Sequence, residues 1–421
     1  MYIGVDLGTT ACKSCLYDES GALIKFASAK YPLVTMPNGI AEQDANDWFW
    51  AAKQTIGEIA KEAGGNIKSI CFSTQGISFV AVDRAAMPLC NAISWLDMRA
   101  IGETEALERH FGKELIYDKT KKHIMPQYSL PKLMWFKNNC PEAYKKAHKL
   151  LMPLDFLNFK LTGKPITDRS MASGTMLYNI DSKKWDGELL DFSGISEEKL
   201  PEIKTAGESL GTILPKVADE LGLPASTELV LGAQDQKLAA IGAGISEGVC
   251  TVSLGTSTAV TKLNVSLKYN CPLFDFDDGR IFAETCLPTT GAAIDWLSSI
   301  MGLGYEEMDA LAKDAPKGAN GVFFDANLSE FGSITQLCLD SSRGDIIRAL
   351  YECICRGIKE KIDQMGGAKN LRVFGGGFKS ELLCKILADT ANLEVCVAKT
   401  VETAALGAAM LASGCKIKKE L

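Results

Sequence analysis

The sequence predicts an α/β protein built from two related halves, and three observations carry that expectation. The chain has 421 residues, more than one ordinary core holds, since domains run to about 100–200 residues each. Short apolar strands alternate with segments whose apolar residues recur at helical spacing. The pattern Val5-Asp-Leu-Gly-Thr-Thr10 also returns as Val252-Ser-Leu-Gly-Thr-Ser257. Each copy is an apolar strand that ends in Leu-Gly-Thr and a hydroxyl residue, with another strand following. Two hairpins with the same tip imply two related domains facing each other.

In order, Tyr2-Ile-Gly-Val-Asp-Leu-Gly-Thr-Thr10 reads as strand and turn, 12–17 as a second strand and 23–27 as a third. Asp18-Glu-Ser-Gly21 supplies the turn between the last two. The Gly-Thr-Thr tip gathers N–H groups and hydroxyls at one point, as a phosphate cradle does; an ordinary hairpin turn is the plainer alternative. Residues 48–63 have helical spacing, with Asp44 or Asn46 as the cap. Strand 67–72 leads into Ser73-Thr-Gln-Gly-Ile-Ser78, and strands at 79–82 and 93–95 lead to Asp97 and Arg99. A polar loop after a strand, and a carboxylate and guanidinium just after Trp95, suit a hydroxylated ligand. The competing reading of Asp97 and Arg99 is a surface turn with an ion pair.

Residues 101–165 read mostly as helix, with a break at Pro126 and Pro131 and a stop at Gly163. Asp168 and 170–175 read as a small polar loop, and 180–228 as linking helices and turns. Apolar residues at 346, 347, 350, 354 and 358 place a long helix over 344–365. Strand 371–374 enters Gly375-Gly-Gly377, where backbone can approach a flat ligand or a phosphate, and a helix over 381–390 follows. Residues 402–409 form a helix with a small-residue face.

The stretch 231–244 organises the rest. An apolar strand runs into a small-residue turn holding one carboxylate, Asp235, ahead of an Ala/Gly-rich segment. Open α/β sheets keep their ligands at the carboxyl ends of the strands. The competing reading is a helix cap, a common use of Asp.

Composition narrows the partners. The formal net charge is −7 and the charges are dispersed, which speaks against nucleic acid and membrane surface. The opening Met1-Tyr-Ile-Gly-Val-Asp6 has no basic n-region and no apolar run reaches a membrane span, so a cytoplasmic location is expected. The 14 cysteines lie scattered in apolar stretches, as reduced thiols do. Cys12 and Cys15 would face opposite sides of a strand, and Cys353 and Cys355 have no partner cluster, so no zinc site is expected.

These pieces, in this order, resemble the FGGY family of carbohydrate kinases, xylulokinases most of all. The residues that carry the resemblance are 2–10, Glu42-Gln-Asp44 with Trp48, Trp95 with Asp97 and Arg99, Pro131-Lys-Leu through Trp135, and 155–163. Asp168, Ser173-Gly-Thr175, 232–236, Ser253-Leu-Gly-Thr-Ser257, 375–377 and 402–409 complete it. The resemblance implies two actin-like, ribonuclease-H-like domains, 1–244 on the sugar side and 245–421 on the nucleotide side, with ATP in the cleft between them. It implies Mg²⁺ near Asp6 and Asp235, with Thr9, Thr10 and Lys13 near the transferred phosphate. Gly255, Thr256 and Ser257 would hold phosphates, and Gly375, Gly376, Gly377 and Ser380 would border the adenosine. Asp235 would be the general base, and Gln75, Gly76, Ser78, Asp97, Arg99 and Asp235 would border a small sugar, a ketose such as a pentulose or a polyol. A homodimer is the assembly considered.

Three departures from the family's pattern stand out. Gly76 and Ile77 replace a Met-His pair, leaving room for a bulkier or differently substituted sugar. The connection 323–331 replaces a longer Gly-Glu-Arg-Thr-Pro loop, and the chain stops soon after Ala409. A more open cleft and a slower enzyme are the expectations from these. The rival functions are an actin-like ATPase switch and a catalytically weak sugar-binding relative.

Overall fold

The structure is a computed structural model and describes residues 1–266, 270–326 and 332–417. The chain divides into two compact units, Met1–Gly242 with Pro272–Ile281 and Glu402–Glu420, and Ala243–Cys271 with Phe282–Val401.

The core of the first unit is a mixed sheet. Strand Tyr2–Leu7 pairs antiparallel with Ala11–Tyr17, which pairs antiparallel with Leu23–Lys30. On its other side Tyr2–Leu7 runs parallel to Ser69–Thr74, and that strand parallel to Glu228–Gln234. Ser209–Thr212 closes the far edge antiparallel to Glu228–Gln234. The central strands Tyr2–Leu7 and Ser69–Thr74 are buried almost throughout because helices cover both faces. Ala45–Ala60 packs on Ala11–Tyr17 and Leu23–Lys30, and Thr403–Ala412 packs on Tyr2–Leu7 and Ser69–Thr74. Asp44 caps the first of these helices by accepting the Asn46 N–H.

The second unit repeats the plan. Val249–Leu254 pairs antiparallel with Thr258–Leu263, which pairs antiparallel with Arg280–Leu287. Val249–Leu254 also runs parallel to Asn370–Phe374, and that strand parallel to Glu394–Val397. Numbering the five main strands of each repeat along the chain gives the spatial order 3-2-1-4-5 in both units. The shared Leu-Gly-Thr tips therefore sit at the same place in two copies of one topology. The long helix is Arg343–Gln364, opened by a capping box between Ser342 and Asp345.

A second echo lies in the helices that follow strand 5 of each repeat. Asp235–Gly242 holds Ala239-Ala-Ile-Gly242, and Thr403–Ala412 holds Ala404-Ala-Leu-Gly407. Both belong to the first unit and pack on each other reciprocally. A Cβ on Gly242 would lie 1.9 Å from the Thr403 carbonyl oxygen, and one on Gly407 would lie 2.0 Å from that of Leu238. Only hydrogen at both crossings lets the backbones approach this closely.

Two expectations need correction. Residues 170–175 are not a loop, because Asp168 accepts the N–H groups of Ser170 and Met171 and starts a short helix, Arg169–Ser173. Residues 180–228 are not only helices and turns, because Ser209–Thr212 is the edge strand of the first sheet. In the short connection over 323–331, Phe323–Asp325 is a strand paired with Ser333–Thr335, and 327–331 lie outside the described residues. Among the described residues no helix is long and apolar enough to cross a membrane.

Candidate active site

The first hairpin tip is tied back through its carbonyls. Tyr31 Oη donates to the Gly8 carbonyl. The Tyr31 N–H donates to that of Thr10 at 3.0 Å, and Gln43 Nε2 donates to that of Thr9 at 2.6 Å. The Thr9 hydroxyl accepts from Trp95 Nε1 at 2.9 Å. Asp6, at the end of the buried strand, is partly exposed, and its Oδ1 accepts from Ser73 Oγ at 3.1 Å. Poor solvation pushes the Asp6 carboxyl up to about 6, against the pull of Lys13 and of the Ser73 bond. Lys13 pairs with Glu402 at 2.9 Å. Partial burial works against the Lys13 ammonium, and Glu402 more than offsets it, raising its pKa.

The loop 75–78 begins at the same tip, since the Gln75 N–H donates to the Leu7 carbonyl at 2.8 Å. Gln75 Nε2 donates to Gln43 Oε1 at 2.9 Å. Ile77 takes φ +54°, a strained conformation for a β-branched residue. Ser129 Oγ at 3.1 Å and Lys132 Nζ at 2.9 Å hold its carbonyl. Lys132 is fully buried and also donates to the Ser94 carbonyl at 2.9 Å, joining the two polar loops. Burial lowers its ammonium pKa to about 7. Ser78 Oγ accepts the Trp95 N–H at 2.9 Å.

Asp97 is fully buried, and both of its oxygens are engaged. Oδ2 accepts the Ala41 N–H at 2.7 Å, and Arg99 donates to both oxygens at 2.8 and 2.9 Å. Arg99 also reaches Glu42 at 2.7 Å and lies over Trp135, 4.8 Å from the ring centre. The pair is neither a loose surface ion pair nor an open polar edge. It braces the loop after Trp95 against the strand Ile40–Gln43.

Glu228–Gln234 ends where Asp235 begins its helix. Asp235 is partly exposed and its Oδ1 accepts the Gln236 N–H at 2.7 Å, one residue on. Gln234 is held through its N–H to Ser170 Oγ at 3.1 Å. Its side chain corrects one expectation. A Cβ on Gly76 would lie 2.8 Å from Gln234 Nε2 and 3.1 Å from its Cγ. The room left by Gly76 is therefore already filled by Gln234, which enters from the neighbouring parallel strand.

In the second unit the tip 255–257 is exposed. Its carbonyls are tied back by the start of the helix Gly291–Met301. The Gly291 N–H donates to the Gly255 carbonyl at 3.1 Å, and the Thr290 and Ala292 N–H groups donate to that of Thr256 at 3.3 and 3.0 Å. The three glycines 375–377 separate in function. Gly375 has φ +100°, and its Cβ would lie 2.5 Å from the Leu254 carbonyl oxygen. A Cβ on Gly377 would lie 1.9 Å from a Leu254 methyl group, whereas one on Gly376 meets nothing within 4 Å. Packing explains two of the three, and only Gly376 is free of a structural demand from the protein. Ser380 Oγ caps the next helix by accepting the Leu383 N–H at 3.0 Å.

Sequence reading counts Gln43, Lys132 and Gln234 among the residues that carry the resemblance and gives none of them a role. Gln43 is a buried polar residue at the end of the strand Ile40–Gln43.

The model of the FGGY family of carbohydrate kinases, N-terminal domain, matches residues 1–242, and that of the C-terminal domain matches residues 250–414. A xylulose kinase of Bacillus subtilis is 30% identical over 98% of this chain and 87% of its own length. A gluconokinase of the same organism is 27% identical over 97% of this chain and 86% of its own length. Among solved structures, a xylulose kinase from Lactobacillus acidophilus superposes with a TM-score of 0.93 at 26% identity, covering 98% of this chain and 89% of that one. A gluconate kinase from the same organism superposes with a TM-score of 0.92, also at 26% identity and over the same shares.

Proposed function

The chain belongs to the FGGY family of carbohydrate kinases, and from that premise we propose that it transfers the γ-phosphoryl group of ATP to a hydroxyl of a small neutral ketose or polyol, a pentulose in the first instance, with Asp235 as general base. The family fixes the coarser statement: an alcohol-accepting phosphotransferase on a two-domain actin-like α/β fold. The observation that carries the finer one is the placing of Asp235. It stands at the carboxyl end of a buried parallel strand, and its nearest neighbour Gln234 lies against the loop 75–78.

A sugar hydroxyl is a poor nucleophile until its proton begins to leave, and a positioned carboxylate takes that proton. In this reading Gln75, Gly76, Ser78 and the braced segment 97–99 shape the sugar side. Thr9, Thr10 and Lys13 from the first unit, and Gly255, Thr256 and Ser257 from the second, hold phosphates, while Gly376 admits the adenosine with Gly375, Gly377 and Ser380 beside it. The division of labour is sugar binding in 1–244 and nucleotide binding in 245–421.

Asp6 fits a magnesium ion. It is a partly exposed carboxylate with one oxygen held by Ser73, and Mg²⁺ binds through one or two carboxylates together with substrate phosphates and water. Asp235 is the second carboxylate for that role. When bound, the ion neutralises charge on the phosphates.

The test is ADP formation over a panel of tetruloses, pentuloses, hexuloses and polyols. Turnover that depends on a pentulose or a related neutral sugar supports the proposal. Turnover indifferent to every sugar removes it and favours a nucleotide switch.

A further inference from the structure

The Thr9–Gln43–Gln75 chain has a direction that chemistry imposes. A backbone carbonyl can only accept, so Gln43 must turn Nε2 to the Thr9 carbonyl, 2.6 Å away. That leaves Gln43 Oε1 for Gln75, which must answer with its own Nε2 at 2.9 Å. Gln75 is then left with Oε1, which is buried and has no partner. Both glutamines are 1% exposed. The two ends of an amide ordinarily exchange by a half-turn. Here a half-turn of Gln43 would set its oxygen against the Thr9 oxygen, and a half-turn of Gln75 would set two oxygens face to face.

We propose that Gln43 is a positioning residue that fixes Gln75 Oε1 as an acceptor, so that the acceptor-substrate site selects a hydroxyl that donates. The inference rests on the reading of 75–78 as the sugar loop. A buried acceptor left empty is costly, about 1–3 kcal/mol, and a sugar O–H satisfies it where an ether, a fluorine or a carboxylate does not. Gln234 Oε1, at the end of the adjacent strand, is also buried and unpartnered, giving a hydroxylated chain a second acceptor nearby. Because the chain of amides starts at the Thr9 carbonyl, the hairpin assigned to phosphate also orients the contact to the sugar.

The experiment uses the sugar identified by the ADP screen and its series of monodeoxyfluoro analogues, in which fluorine replaces a hydroxyl and cannot donate. In the wild type, one position of fluorination should lower kcat/KM by ~10–100-fold. In Gln43→Met, where Gln75 is free to turn over, and in Gln75→Leu, where the acceptor is gone, the loss at that position should shrink to under ~3-fold. Gln43→Met should raise KM for the parent sugar by ~3–10-fold, and KM for ATP is read beside it, because Gln43 also holds the Thr9 carbonyl. The same loss at every position in all three proteins overturns the proposal. Where Gln43→Met does not fold, Gln43→Leu on the same series takes its place, and Gln75→Leu tests the contact itself. A wild type that turns over no hydroxylated acceptor removes the sugar-loop reading itself, and this inference falls with it. A wild type that turns over its sugar with no position coupled to Gln43 removes the inference alone.

Discussion

The two Leu-Gly-Thr hairpins occupy the same place in two copies of one strand order, yet they are held in different ways. The second is held by main chain, with three amides at a helix start donating to two tip carbonyls. The first is held largely by side chains, Tyr31, Gln43 and Trp95. Its strand ends in Asp6 where the second has Ser253. A grip made by main chain is insensitive to sequence and couples to little else. A grip made by side chains ties the tip to the loops around Gln75 and Trp95. The repeated topology supplies two tips, and side-chain substitution has tied one of them to the loops that the proposed function assigns to the sugar.

The largest expected effect tests which repeat holds the chemistry. Asp235→Asn should lower kcat by ~100–10,000-fold, about 3–5 kcal/mol of barrier, with much smaller changes in the two KM values. A kcat within a few-fold of wild type on the true sugar would end the base assignment, since Asn caps a helix as well as Asp does.

Next come the glycines of the second repeat. Gly377→Ala forces a methyl group onto Leu254 and should destabilise by ~1–3 kcal/mol, read as a lowered Tm. Gly376→Ala meets nothing in the protein and should leave Tm unchanged while raising KM for ATP. Equal thermal losses in both variants would refute the separation of the two.

The hairpins themselves are compared by one substitution made twice. Thr256→Val should raise KM for ATP by ~3–10-fold and leave the sugar KM unaltered. Thr9→Val also breaks the bond from Trp95 and should raise both. Identical profiles for the two variants would abolish the distinction between an isolated cradle and a coupled one.

The last effect is read as a slope against pH and not as a single change. The Lys132 pKa is lowered in the fold to about 7, against about 10.4 for an unperturbed lysine. Between those values the unfolded chain binds more protons, so this group makes stability rise with pH from about 7 upward, and its penalty is complete below that. Denaturant midpoints measured across that range should show the slope in the wild type and a flatter line in Lys132→Met. Parallel lines would place the proton elsewhere.

The fold was legible because its central strands are rich in apolar residues and its tips repeat. The same sequence hid the short helix Arg169–Ser173, since small polar residues without apolar period look like loop until Asp168 is seen holding their amides. Glycine was legible as a residue and not as a reason. Gly76 suggested space, but Gln234 fills it from a strand far along the chain, and only coordinates separate Gly376 from its two neighbours. The amide relay was invisible for a similar cause. Hydrogen bonds between residues far apart in sequence leave no period, and Gln43 reads as one polar letter before a helix.

The helix Thr403–Ala412 is nearly all buried, yet it is the last element of the second repeat seated in the first unit. It lies on Tyr2–Leu7, where a Cβ on Gly4 would come within 1.8 Å of the Ala405 carbonyl oxygen, and its Gly407 meets the helix Asp235–Gly242 reciprocally. A gene cut after codon 244 would therefore not encode a self-sufficient half. Its product would carry a bare groove lined by Gly4 and Gly242, which makes it a sticky fragment for recombinant expression. Grafting residues 402–417 behind a short linker would supply the missing plug.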